Sequence, residues 1–296
     1  MITRRDPPDP ALLALNAATL QAQGNLRQII EACARHAFHG LGLWHAQLCE
    51  PGRQQSTRQT VRDTSRQLRD HGLIPTSLGL AGQLPALERK PRREAIEQVR
   101  RAIDDAVELS AQCLLLNVGG LPQGARDLQG ARDMVRDALG ELLEQARSAG
   151  IALAIEPLHP LFCAERSCIS TLMQANDLCQ ELAGASGGGI GVVVDVWQQW
   201  WDPALPAQIR RAGEAKRLLL YQIADWLVHA ADRAAVEVGR GMMGDGVIDL
   251  PLLRSWMEAA EYRGLHEVKV VSPTDWALRD IDEVLITARR RHQECS

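Results

Sequence analysis

Short apolar runs recur along the chain, separated by longer stretches in which apolar positions return at helical spacing. The runs are ALLALNAATL (11–20), LGLWHAQL (41–48), LIPTSLGL (73–80), CLLLNVGG (113–120), IALAIEPL (151–158), IGVVVDVW (190–197), RLLLYQIAD (217–225) and HEVKVV (266–271). Each has the length and the bounding turn residues of a buried strand. Between them, Ile96, Val99, Ile103 and Val107 fall on one helical face, and Val135, Leu139, Leu142 and Ala146 on another that ends at Gly150. Further helices are expected near 171–183, 204–212, 250–263 and 280–292. Eight strands alternating with helices in 296 residues predict an α/β protein, a closed (β/α)8 barrel of the TIM type, with a doubly wound open sheet as the alternative.

A barrel concentrates chemistry at the C-terminal ends of its strands and in the loops that follow. The polar residues at those ends are Asn16, Thr19, Trp44, His45, Asn117, Glu156, His159, Asp195, Gln222, Asp225 and Lys269. The last run is unusual. In HEVKVVS (266–272), Glu267, Lys269 and Val271 share one face of a strand, and Val268 and Val270 the other. Burying an ammonium there costs several kcal/mol (order of magnitude) unless it meets a partner, so Lys269 calls for one.

Composition narrows the functional classes. With 33 Lys and Arg against 37 Asp and Glu, and no basic block, the chain lacks the electrostatic footprint of a nucleic-acid binder. No apolar run reaches the roughly 18–20 residues of a membrane span, and MITRRDPPDP does not resemble a signal peptide; a cytoplasmic location is expected, with 1–10 as a flexible extension of a single domain spanning 1–296. Seven scattered cysteines without a C-x-x-C pair argue against a disulfide framework or a thiolate zinc site.

Individual candidates carry both a functional and a structural reading. Glu156 ends a continuous apolar strand; it suits a proton-transfer base or ligand, or else an ion pair with a residue such as Arg166. Asp195 repeats the pattern one unit later, where a helix cap is the alternative. His159 is a substrate contact or a packed histidine. Trp44, Trp197, Trp200, Trp201, Trp226 and Trp276 all fall at or after strand ends, either stacking on a ligand or wedging loops. GASGGGIG (184–191) precedes a strand rather than following one, which removes a dinucleotide reading. GRGMMGDG (239–246) follows the seventh strand, where Arg240 could hold a phosphate or carboxylate; a plain turn-rich loop is the alternative.

The segments IALAIEPLHP, AERSCISTL (164–172), GVVVDVWQQWWDP (191–203), ADWLV (224–228), GRGMMGDGVIDLP (239–251) and HEVKVVS together resemble the sugar phosphate isomerase/epimerase family of xylose isomerase-like TIM barrels. The resemblance covers nearly the whole chain. It implies one divalent ion (Mn, Mg, Co or Zn) held by a Glu on strand five, an Asp on strand six, a His on strand seven and a Glu on strand eight, with the two glutamates moving a proton between adjacent carbons. Glu156 and Asp195 match the first two positions. Gln222 stands in place of the His, Lys269 in place of the second Glu, and Gln198 in place of a further His. Lysine offers donors and no acceptor, so the resemblance implies that the metal site is degraded, that no metal or other cofactor is bound, and that the Lys269 ammonium takes the cation's position.

The function expected is an isomerase or epimerase acting on a small carbonyl or sugar-like metabolite, with Glu156, Lys269 and Asp195 catalytic. Asn117, His159, Gln198, Gln222, Asp225, Arg240, Trp44 and Trp197 are expected to bind substrate. A lyase, dehydratase or tailoring enzyme on the same scaffold, or a non-catalytic binding homologue, are the alternatives. The expected partner is a small molecule, with no nucleic acid and no membrane; relatives suggest a homodimer. A family 2 AP endonuclease activity is disfavoured, because it needs several zinc ions and many histidines.

Overall fold

A computed structural model describes residues 6–50, 52, 55–184, 188–228 and 239–296. The expected extension 1–10 and the glycine cluster 184–191 therefore lie partly outside the described residues. Eight parallel strands close into a barrel: β1 Leu13–Asn16, β2 Gly40–Trp44, β3 Ile74–Ala81, β4 Cys113–Asn117, β5 Ala152–Ile155, β6 Ile190–Asp195, β7 Leu218–Ile223 and, last in the chain, β10 His266–Val268. The last strand pairs with both β1 and β7, which removes every sheet edge. Two residues each from β8 (Asp225–Trp226) and β9 (Arg240–Gly241) form a small antiparallel ribbon above the mouth.

The helices are α1 Leu26–Arg35, α2 Arg58–Asp70, α3 Arg89–Leu109, α4 Leu128–Ala149, α5 Leu172–Ala183, the single-turn α6 Val196–Gln199, α7 Leu205–Glu214, α8 Leu250–Ala259 and α9 Ile281–Cys295. Local chemistry sets their ends. Asn25 and Thr171 each form a reciprocal cap with the glutamine three residues on, and Gly150 stops α4 in the left-handed region at φ 73°. On α3 the buried stripe runs through Ile96, Val99, Ala102, Ile103 and Ala106 to Leu109. Val107, expected on that face, is 43% exposed: small Ala106 sits against the sheet and turns Val107 to the flank.

Period-two alternation divides the strands between two cores. Leu114, Leu116, Leu153, Ile155, Val192 and Val194 point outward, under the helices. Cys113, Leu115, Ala154, Val193 and Leu220 form a separate cluster inside the barrel. Two residues further along, the same inward rows carry Asn117, Glu156, Asp195 and Gln222, all buried. The interior is thus apolar below and polar above, and the site grows directly out of strand geometry.

Several apolar runs are shorter as strands than their sequence suggests. ALLALNAATL leaves the sheet at Ala17 and LGLWHAQL at His45, each passing into a one-turn 3-10 helix. Asn16 caps the first of these through Ala18. At the N-terminus, the carbonyls of Asp6 and Pro8 accept hydrogen bonds from Arg254 and Gln293.

Gly42 on β2 has a specific role. A Cβ there would collide with the buried carboxylate of Glu267 on β10. Gly42→Ala should therefore lower stability by about 1–3 kcal/mol, the usual range for overpacking a close-packed interior, read as a lower urea midpoint with an unchanged slope.

Candidate functional site

A cavity of about 330 Å³ opens at the C-terminal end of the barrel. Trp44, Asn117, Glu156, Trp197, Arg240 and Lys269 contribute to its polar and aromatic walls, and the residues lining it come from nearly every strand end. A larger groove, about 1010 Å³, runs along the outside of α3 between Arg89 and Arg101. It is solvent-facing and touches none of the strand-end carboxylates, so convergence of polar groups, rather than size, marks the smaller cavity as the candidate site.

Lys269 follows β10 and points inward; only 4% of it is exposed. Its Nζ donates to Glu156 Oε1 at 2.7 Å and to Gln222 Oε1 at 2.8 Å, and lies 3.4 Å from Asp195 Oδ2. The ammonium also lies 5.3 Å from the centre of the Trp44 ring, within cation–π range. Backbone contacts fix this placement. Lys269 N donates to Ile223 O, while Thr19 accepts from Val270 N and donates to Val268 O, bracketing the lysine.

Both carboxylates are fully buried and each is compensated. Glu156 Oε2 accepts from Asn117 Nδ2 at 2.6 Å. Asp195 receives Nη1 of Arg240 at 3.0 and 2.9 Å on its two oxygens, and caps Trp197 N. Burial alone would push the Asp195 carboxyl up, but the guanidinium of Arg240 and the ammonium of Lys269 outweigh it and hold the group below its ordinary value.

Beneath this layer lies a third carboxylate, Glu267, which shares its strand face with Lys269 and is not among the expected site residues. Its Oε1 accepts from Asn16 Nδ2 and from Gln222 Nε2, each at 2.7 Å, and Oε2 accepts from the Thr76 hydroxyl. Gln222 is therefore a coupler: its amide NH2 is taken by Glu267, which turns its oxygen toward Lys269. Burial pushes the Glu267 carboxyl up, against the opposing pull of these donors and of the Lys269 charge.

Other expected site residues fall into two groups. Trp44, Trp197, Gln198, Arg240 and Asn117 line the cavity. His159, Asp225 and Gln222 do not. His159 caps a short 3-10 helix and stacks on Trp226 at 5.3 Å and edge-on to Trp201 at 5.6 Å, and burial pushes its imidazole down. Asp225 accepts from the backbone of Trp226, Gly244, Gly246 and Ile248. It thereby fills the amides of the loop expected to bind an anion. His45 pairs with Asp105 on α3, away from the mouth. Of the six strand-end tryptophans, Trp44 and Trp197 face the cavity; Trp200 and Trp226 pack together, and Trp276 bonds Asp245.

Among the described residues no three His, Cys, Asp or Glu side chains come together as a metal-binding group. No helix among them is long and apolar enough to cross a membrane.

A family model described as xylose isomerase-like TIM barrel matches residues 30–286. The chain belongs to this family. Among solved structures, protein SMc04130 from Sinorhizobium meliloti 1021 aligns at 40% identity with a TM-score of 0.88, covering 97% of this chain and 99% of that one. The IOLI protein with a bound zinc atom aligns at 18% identity and a TM-score of 0.78, over 96% and 97% of the two chains. The 3-keto-D-glucoside 4-epimerase YcjR from E. coli, in its apo form, aligns at 16% and 0.73, over 95% and 98%. The latter two share the fold with this family member. No curated protein matches the chain.

Two outcomes follow for the buried charges. Lys269→Met should cost about 3–5 kcal/mol, because it leaves Glu156 buried without its cation, and adding Glu156→Gln should recover a substantial part; urea unfolding of the single and double variants checks this. Glu267, with its folded pKa raised above the ordinary glutamate value of 4.5, contributes stability that is complete below that value and lost as pH rises through the folded pKa. Glu267→Gln should remove that loss, so the variant gains on the wild type as pH is raised from 4.5 towards neutrality.

Proposed function

We propose that this protein is an isomerase- or epimerase-like enzyme that moves a proton beside the carbonyl of a small, sugar-like metabolite. Glu156 is the base, and Lys269 does the work of a divalent ion. The reading rests on one observation: the Lys269 ammonium lies 2.7 Å from Glu156 on the floor of a cavity large enough for a small metabolite. The residues at the family's ligand positions do not suit a divalent ion. Glu156 and Asp195 are the two anionic donors, Gln222 offers one amide oxygen already bonded to Lys269, and the lysine supplies no acceptor.

Hydrogen-bond capacity suggests the division of labour. Two of the three Lys269 donors are held by Glu156 and Gln222 at ordinary distances, while the third contact, to Asp195, is long at 3.4 Å. A substrate carbonyl oxygen would take that third donor, since Asp195 keeps Arg240. The ammonium then stabilises the negative charge that develops on oxygen as Glu156 removes the neighbouring proton. Glu156 retains free lone pairs besides those used by Lys269 and Asn117. Because base and electrophile lie side by side, return of the proton to the adjacent carbon on the same face fits better than delivery from the opposite face. Asp195 holds Arg240 against the Trp197 ring, 4.6 Å from its centre, which shapes the aromatic wall.

An amine so engaged with acceptors acts as a charged donor, and borohydride in the presence of a carbonyl substrate should trap no adduct at Lys269. The fold is shared with 3-keto-D-glucoside 4-epimerase and D-psicose 3-epimerase, which supports chemistry beside a carbonyl. The test is solvent-deuterium exchange. Wild-type protein screened with keto sugars, inososes and their phosphates in D2O should place deuterium on a carbon next to the carbonyl. Glu156→Gln should slow that exchange by about 10²-fold or more, and an unchanged rate would contradict the assignment.

A further inference from the structure

Among the described residues, three cations reach the cavity, and two are already matched: Lys269 by Glu156 and Arg240 by Asp195. The third, Arg166, is different. Its guanidinium stacks on the Phe162 ring at 4.8 Å and lines the cavity, yet its side chain makes no ion pair or hydrogen bond among the described residues. Its backbone is nonetheless fixed, with its N–H donating to Phe162 O at 2.9 Å and its carbonyl accepting from Gly119 N at 3.1 Å. An anchored main chain and an aromatic platform hold an uncommitted planar donor at the rim. The cavity lining also includes Gln21 and Gln47, which bring no negative charge.

We propose that Arg166 receives a carboxylate of the substrate, so that the compounds processed are small keto acids. This rests on the proposed function, in which the carbonyl sits against Lys269. One unmatched positive charge suits a monoanion, and a guanidinium fork matches the two oxygens of a carboxylate. A phosphate would find a poorer welcome. Cradles for phosphate are commonly built from loop amides, and the amides of Gly244, Gly246 and Ile248 already bind Asp225. The cavity, at about 330 Å³, lies at the small end for ligand sites and favours compounds of about six carbons.

A matched six-carbon series tests the proposal by calorimetry: D-fructose, 2-keto-D-gluconate, 5-keto-D-gluconate and D-fructose 6-phosphate, titrated into wild type, Arg166→Met and Arg166→Lys. At least one keto acid should bind wild type more tightly than fructose. Its affinity should fall about tenfold in Arg166→Met, the scale of losing a solvent-accessible charged hydrogen bond, and recover partly in Arg166→Lys, while fructose is unaffected by either change. Failure of both keto acids to bind, equal keto acid affinity in Arg166→Met, or tighter binding of the phosphate would overturn the proposal. Binding is read without turnover. A keto acid that binds through Arg166 but shows no deuterium exchange would count against the proton-transfer reading and leave this one standing; exchange with no dependence on Arg166 would do the reverse.

Discussion

A positive charge held between two buried carboxylates governs the mouth of this barrel. Glu156 and Asp195 are fully buried, and neither could stay ionised there without compensation. The ammonium of Lys269 contacts both, and the guanidinium of Arg240 grips Asp195 from the other side. Take away the lysine and, among the described residues, Glu156 keeps the Asn117 amide but has no paired cation. Much of the surrounding structure serves this arrangement: Thr19 brackets β10 around the lysine, and the small β8–β9 ribbon carries Arg240 to its aspartate.

The layer below extends the same logic. Glu267 lies within the barrel wall, with Asn16, Thr76 and Gln222 supplying its donors and Gly42 leaving it space. Through Gln222 it sets which end of an amide meets Lys269. A polar network with nearly every member satisfied is rigid, and the long contact within it is the 3.4 Å approach of Lys269 to Asp195.

What was legible in the sequence was what period and length encode. All eight barrel strands lie within the apolar runs or one residue beyond them, because parallel strands buried on both faces read as continuous hydrophobic stretches. Alternation set Lys269 on the face opposite Val268 and Val270, and the resemblance to the family turned that face toward the site. The same alternation put Glu267 beside it, but an acid one step down a strand carries no local sign that it is a support rather than a solvent-facing residue. Arg240, expected to hold a ligand, lines the cavity and also bonds Asp195, 45 residues away in the chain. Asp225 was expected to touch substrate and instead organises its own loop. Such pairings depend on which loops meet over the mouth, and periodicity does not specify that. His159 and three of the tryptophans show the converse: aromatic groups after strand ends gather into a packed cluster beside the cavity as readily as they line it.

The claim that a lysine stands in for a metal ion can be tested by metal analysis of purified wild-type protein alongside the double variant Gln222→His, Lys269→Glu, each after exposure to Mn, Co, Zn and Mg. Wild type should retain well under one equivalent of any of them, and the double variant close to one. A full equivalent bound to wild type, lost on Glu156→Gln, would contradict the account.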